Sequence, residues 1–210
     1  MTDSGYLYYK ESRSGIHTID MKENFFEQEL FTKQDYSETP LPKGEYDSCS
    51  FRDCNFAGTD LSGVLLIGCT FTGCDLSNTS VKDCSLQETK FKECKLLGFR
   101  FDECDQLGLT VRFENCQLDN SSFYQVKLNH TVFLNSSLRE VDFTETDLRN
   151  VILDQCDLAD ATFDHANLER ANLTSALNYT IDPENNRISG AKFSMPGVMG
   201  LLSKYKIEIV

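Results

Sequence analysis

The chain has 210 residues, enough for one domain or two small ones. It carries 33 Asp and Glu against 20 Lys and Arg, a net charge of −13. That balance excludes nucleic-acid binding through phosphate contacts, which need Lys and Arg. Its 40% apolar content supports a packed core, and no stretch approaches the ~20 apolar residues of a membrane span.

Met1 to Lys10 lacks the charged-then-apolar pattern of an export signal. Nine cysteines without such a signal are expected as free thiols in the cytoplasm. Residues 1–31 read as an N-terminal arm or cap that would protect the edge of the first coil. Phe26, Phe31, Tyr36, Leu41 and Tyr46 already keep a five-residue phase. From Phe51 to Phe101 every fifth residue is large and apolar, and from Phe113 to Leu173 the pattern resumes without a miss. Neither helix nor flat strand repeats at five, since their periods are about 3.6 and 2.

The residue two before the large one is small or β-branched almost throughout, and all nine cysteines fit that slot. Asp or Asn often precedes the large residue, and Gly58, Gly63, Gly68 and Gly73 follow it at the place where a turn is needed. Phe123, Phe143 and Phe163 recur every twenty residues, as do Leu118, Leu138 and Leu158. Twenty residues make a coil of four short sides, with like side chains stacked at the inter-strand spacing of about 4.8 Å. The fold class is therefore all-β, a solenoid over 32–193. The slip of two residues across 102–112 reads as a corner bulge in one coil.

After Leu173 the phase holds through a loop-rich last coil. Ser194 is expected to cap a short helix with Pro196 in its first turn. Ile207 to Val210 are expected to form a strand, so that 194–210 caps the core. The same segment reads as an isologous homodimer contact through Met195, Val198, Leu201, Leu202, Ile207 and Ile209.

Catalytic chemistry is not signalled. The closest cysteine pairs are five apart, unlike the pairs two to four apart of structural zinc. His130 and His165 fall on outward positions, and no phosphate-binding glycine loop is present. A non-enzymatic protein without cofactor or metal is expected. The charge is informative instead. In the second half the excess of acids lies within Leu138 to Arg170. The four-sided register puts Asp119, Glu140, Asp157 and Asp160 on one side, and Asp142, Glu145 and Asp164 on the next. The coil 138–157 has six acids and two bases, a local density close to the one charge per about 1.7 Å of duplex DNA. These seven acids are the candidate partner-binding face; a plain solubility coat is the alternative.

Segments such as Ala161-Thr162-Phe163-Asp164-His165 and Ala166-Asn167-Leu168-Glu169-Arg170 resemble the pentapeptide-repeat family, and the resemblance covers about Tyr46 to Leu173. It implies a right-handed quadrilateral β-helix. The Cys-rich first half, the central register break, Ser121-Ser122-Phe123-Tyr124 and the ending Phe193-Ser194-Met195-Pro196 resemble the stand-alone Qnr-type group. That resemblance implies a cytoplasmic homodimer joined at its C-terminal cap. It also implies a DNA mimic binding DNA gyrase or topoisomerase IV, which it inhibits or protects from quinolones or peptide poisons. The two long loops of the plasmid-borne members have no counterpart here. A scaffold with a non-topoisomerase partner is the other reading.

Overall fold

The computed structural model describes residues 24–208. The chain winds into a right-handed quadrilateral β-helix of about 8 turns. The faces are numbered from one coil: face 1 is 44–48, face 2 is 49–53, face 3 is 54–58 and face 4 is 59–63. Within each pentad the central residue and the one two before it point inward; Phe51, Cys49, Phe56 and Cys54 are all buried. The last residue of the pentad turns the corner in the left-handed region, with φ +52° at Asp53, +66° at Gly58 and +71° at Gly63.

Each turn leaves the backbone groups directed along the axis, so they bond from coil to coil. Phe56 N–H donates to the Asp75 carbonyl (2.7 Å), and Asp75 N–H donates to that of Cys54 (3.1 Å). On face 2 this gives a parallel ladder in register, Phe31, Phe51, Phe71, Phe91, Phe113 and Phe133. Their rings stack at 4.9, 4.7, 5.2, 5.4 and 4.9 Å. A second rib on face 4, Phe101, Phe123, Phe143 and Phe163, stacks at 4.4, 5.4 and 5.2 Å. The two ribs meet edge to face, as at Phe123 and Phe133 (5.9 Å, 90°). Aromatic pairs favour both arrangements, which align the ring's positive edge with a neighbour's negative face.

The two additional residues lie between Asp105, bridged to Ser85, and Val111, paired with Thr89. Gln106 stands where an apolar residue is due and stays outside. Its amide donates to the carbonyls of Phe101 (3.0 Å) and Cys104 (2.8 Å). Leu107 is pushed into solvent, and Leu109 packs against the core instead. The bulge thus restores an apolar contact that strict phase would have lost.

Two boundaries differ from the sequence reading. Asn24–Glu27 pairs with Gly44–Asp47, and the Phe26 ring stacks on Tyr46 at 4.6 Å. The solenoid therefore includes part of the supposed arm, whose residues 1–23 lie outside the described region. At the other end, the Ser194 hydroxyl accepts from Gly197 N–H (3.1 Å). It caps a turn ahead of the helix Met199–Leu202 rather than the helix itself. A 3₁₀ turn, Ser203–Tyr205, ends at Lys206 in the left-handed region. Of the strand expected over Ile207 to Val210, Ile207 and Glu208 follow the reversal at Lys206 and join no ladder, and 209–210 lie outside the described residues. Gly200 packs on Tyr179 so closely that a Cβ would lie 2.1 Å from its carbonyl oxygen.

Phe133 is fully buried within both contacts of the aromatic ribs. Phe133→Ala is expected to cost about 3–5 kcal/mol, read as a lowered denaturation midpoint in urea.

Candidate functional site

The ladder fixes which side chains share a face. Ser137 bridges to Asp157, and Ser122, Asp142 and Thr162 form one column. Asp119, Glu140, Asp157 and Asp160 therefore lie on face 3, and Asp142, Glu145 and Asp164 on the adjoining face 4.

The seven carboxylates divide by what the fold asks of them. Asp142 and Asp157 precede the large residue and accept from the backbone two residues on, at Thr144 N–H (2.9 Å) and Ala159 N–H (3.2 Å). Asp157 also accepts from the Asn178 amide (2.7 Å) and lies 3.7 Å from Arg139. Asp119 accepts from the Ser137 hydroxyl and from Arg139 N–H (3.1 Å). Asp142 and Asp157 thus close turns, and Asp119 ties its coil to the next. Glu140, Glu145 and Asp160 occupy the corner position, with φ +57°, +55° and +59°, and are exposed. Glu145 accepts from the Gln125 amide (2.8 Å). Asp164 is half-buried beside His165 Nδ1 (2.9 Å).

Face 4 is longer than the sequence reading made it. Asp182 and Glu184 continue it into the last coil, and Lys204 of the cap reaches both (2.6 and 2.7 Å). Those bonds hold both carboxyls below their ordinary range. The signal was available, because the five-residue phase runs on through Pro183.

The cations sit elsewhere. On face 1 of the second half stand Lys127, Arg149, Arg170 and Arg187, with only Asp147 and Glu169 as acids. Arg149 grips Asp147 through Nε (2.8 Å) and Nη2 (2.7 Å), which holds that carboxyl below its usual range. Arg187 grips Glu169 at 2.6 Å. Some first-half acids are paired, as Asp60 with Lys43 (3.3 Å) and Asp102 with Arg100 (2.7 Å), whereas Asp53, Asp83, Glu88 and Glu93 have no ion-pair partner among the described residues. Exposed pairs stabilise little, but they locate the unneutralised charge. Of the seven candidate acids, Asp119, Glu140, Asp142, Glu145 and Asp160 have no ion-pair partner among the described residues.

The dimer residues also separate. Met195 (87% exposed), Val198 and Ile207 face solvent together with Met199, whereas Leu201 packs against the core and Leu202 is half-buried. Ile209 lies outside the described residues.

All nine thiols are buried. They turn towards backbone carbonyls, as Cys69 Sγ does to Tyr46 (3.1 Å) and Cys74 Sγ to Phe51 (3.4 Å). Among the described residues no three His, Cys, Asp or Glu side chains converge as metal ligands, and no helix is long and apolar enough to cross a membrane. A surface hollow of about 500 Å³ on face 3, lined by Asp119, Arg139 and Asp157, is open and polar.

The sequence matches the pentapeptide repeat region over residues 45–107 and 109–180. Two trypsin-treated forms of QnrB1, a plasmid-mediated fluoroquinolone resistance protein, are similar in structure. One is 17% identical with a TM-score of 0.59, over 88% of this chain and 99% of that one. The other is 16% identical with a TM-score of 0.57, over 89% and 100%. At these identities the likeness concerns the fold. No curated protein matches the chain in sequence.

Burial pushes the thiols of Cys69, Cys84 and Cys156 up to about 12. An unfolded thiol ionises near 8.5, so folding is favoured fully below that pH and progressively less above it. Stability is expected to fall between about pH 9 and 11. A disulfide-exchange dye at pH 8 should label almost none of the nine thiols until denaturant is added.

Proposed function

The chain belongs to the pentapeptide-repeat family, and we propose that it is a non-enzymatic DNA mimic that binds a type II topoisomerase, DNA gyrase or topoisomerase IV. On this reading it modulates the enzyme or protects it from quinolone-like or peptide poisons. The one-sidedness of the charge carries the proposal. Between residues 116 and 185, faces 3 and 4 hold Asp119, Glu140, Asp142, Glu145, Asp157, Asp160, Asp164, Asp182 and Glu184, against Arg139 and the cap's Lys204. Over four coils of about 4.8 Å that is one net charge per roughly 2.7 Å, on one side of the rod. Duplex DNA carries one per about 1.7 Å over its whole circumference. A solubility coat has no reason to gather the cations on face 1 and leave two adjoining faces negative. A surface that meets the cationic DNA-binding groove of a topoisomerase does. The fluoroquinolone resistance named for QnrB1 fits the same target class. The nine buried thiols fit a reducing cytoplasm.

Purified protein at micromolar concentration is expected to inhibit gyrase supercoiling or reduce quinolone-stabilised cleavage. No effect in either assay over a wide concentration range refutes the proposal, and a pull-down dominated by another protein would favour the scaffold reading. The sharper variant is Glu140→Asn, Glu145→Asn and Asp160→Asn together. Asn tolerates the left-handed corner better than Glu, so stability is retained while binding weakens. Asp83→Asn, Glu88→Asn and Glu93→Asn change the same corner position in the first half and should leave binding near wild type.

We further propose an isologous homodimer through the exposed cap residues Met195, Val198 and Ile207. Sedimentation at tens of micromolar should give a dimer, and Met195→Asp with Ile207→Asp a monomer of unchanged unfolding midpoint. A wild-type monomer under those conditions removes the dimer.

A further inference from the structure

We propose that Tyr124 is the aromatic anchor of the acidic surface, receiving an arginine or lysine from the cationic DNA-binding surface of the topoisomerase. The inference rests on the partner class proposed above and adds the residue that a polyanion alone does not supply. Face 4 presents Ser62, Lys82, Asp102, Tyr124, Thr144, Asp164 and Glu184 in one outward column. Tyr124 is 40% exposed and is the one large hydrophobic side chain exposed on that face among the described residues. Among those residues its ring joins no aromatic pair, so the fold does not use it.

Its surroundings fit a cation. The pentad Ser121-Ser122-Phe123-Tyr124-Gln125 carries no charge. Ser122 bridges Arg100 in the coil below and Asp142 in the coil above, so the pentad lies one coil, about 4.8 Å, from acids in both directions. Asp142 and Glu145 flank it on one side without an ion-pair partner, whereas Asp102 and Glu103 on the other are held by Arg100 (2.7 and 3.9 Å). A guanidinium or ammonium over the ring face would gain from the ring's quadrupole and from the open carboxylates on the Asp142 side. The backbone there is held in place: Ser121 and Ser122 are buried, and Tyr124 N–H donates to the Ser122 hydroxyl (3.3 Å). On a fixed backbone the ring has only its two side-chain torsions to lose on binding, and an aromatic centre ringed by polar groups is the usual form of an interface hot spot. Duplex DNA offers no counterpart, because its base faces are stacked inside. Tyr124 would therefore give the protein affinity for the saddle that survives salt, where charge pairing fades.

The test measures affinity for purified gyrase at about 50 and 300 mM salt for wild type, Tyr124→Phe, Tyr124→Leu and Tyr124→Ala. Their thermal midpoints serve as the folding check. Tyr124→Ala and Tyr124→Leu are expected to bind about 5- to 20-fold more weakly at both salts, with Tyr124→Phe within about 3-fold of wild type. Tyr124→Ala binding as wild type overturns the inference, and so does Tyr124→Leu binding as wild type, since bare apolar area would then suffice. If wild type itself fails to bind, the topoisomerase reading falls and the anchor falls with it. If wild type binds and the Tyr124 variants do not differ, the anchor alone falls.

Discussion

Every fifth residue must turn a corner through the left-handed region, and the rest of the molecule follows from that constraint. The corner swings the chain onto the next face, so backbone donors and acceptors line up along the axis and bond between coils. The first half meets the requirement with glycine in one run, Gly58, Gly63, Gly68 and Gly73, and with other residues elsewhere, as at Ser48, Asp53, Asn78, Asp83, Glu88 and Glu93. The second half uses Gln125, His130, Glu140, Glu145, Asp160 and Arg170, all with φ between +55° and +66°. A side chain there costs about 1–2 kcal/mol per residue. The coil-to-coil ladder and the aromatic ribs offset that cost, since each added coil buries its large residues completely against its neighbours.

In nearly every described pentad both inward positions are committed to the core. The thiols illustrate this. Nine reactive groups are present, and each is buried, packed as a small hydrophobe. Specificity has to be written on the outward positions, where the twenty-residue coil repeats every side chain's direction at the next step. Charges chosen for one face therefore become a stripe rather than a patch. Faces 3 and 4 carry such a stripe, and face 1 carries the compensating cations.

The period of five and the superperiod of twenty made the fold, the buried set and the face assignments legible in the residues. What the pattern did not reveal has specific causes. The start of the solenoid was placed late because Phe26 keeps phase while its neighbours lack the small inward residue; the ladder forms through the backbone regardless. The replacement of Gln106 by Leu109 in the core depends on how two extra residues are absorbed, which phase alone does not state. Of the strand expected over Ile207 to Val210, Ile207 and Glu208 join no ladder, since Lys206 turns the chain in the left-handed region just before them, and 209–210 lie outside the described residues. The seven acids were grouped correctly by face, yet the pattern could not tell a carboxylate that closes a turn, such as Asp142 or Asp157, from one that only projects.

That last distinction decides how the acidic surface should be understood. An Asp before the large residue is explained by its bond to the backbone two residues on, whatever the protein binds. Asp119 and Asp164 make no such bond, and neither do the corner acids Glu140, Glu145 and Asp160, which stand where the backbone would be better served by glycine. Glu is a poor choice for the left-handed region, because it lacks the short side chain with which Asp and Asn bond locally. Corner acids by themselves do not single out the second half, because Asp53, Asp83, Glu88 and Glu93 hold the same left-handed position in the first. What is peculiar to the second half is that faces 3 and 4 gather the acids while the cations stand on face 1, an arrangement that is intelligible if the charge is aimed at a cationic partner.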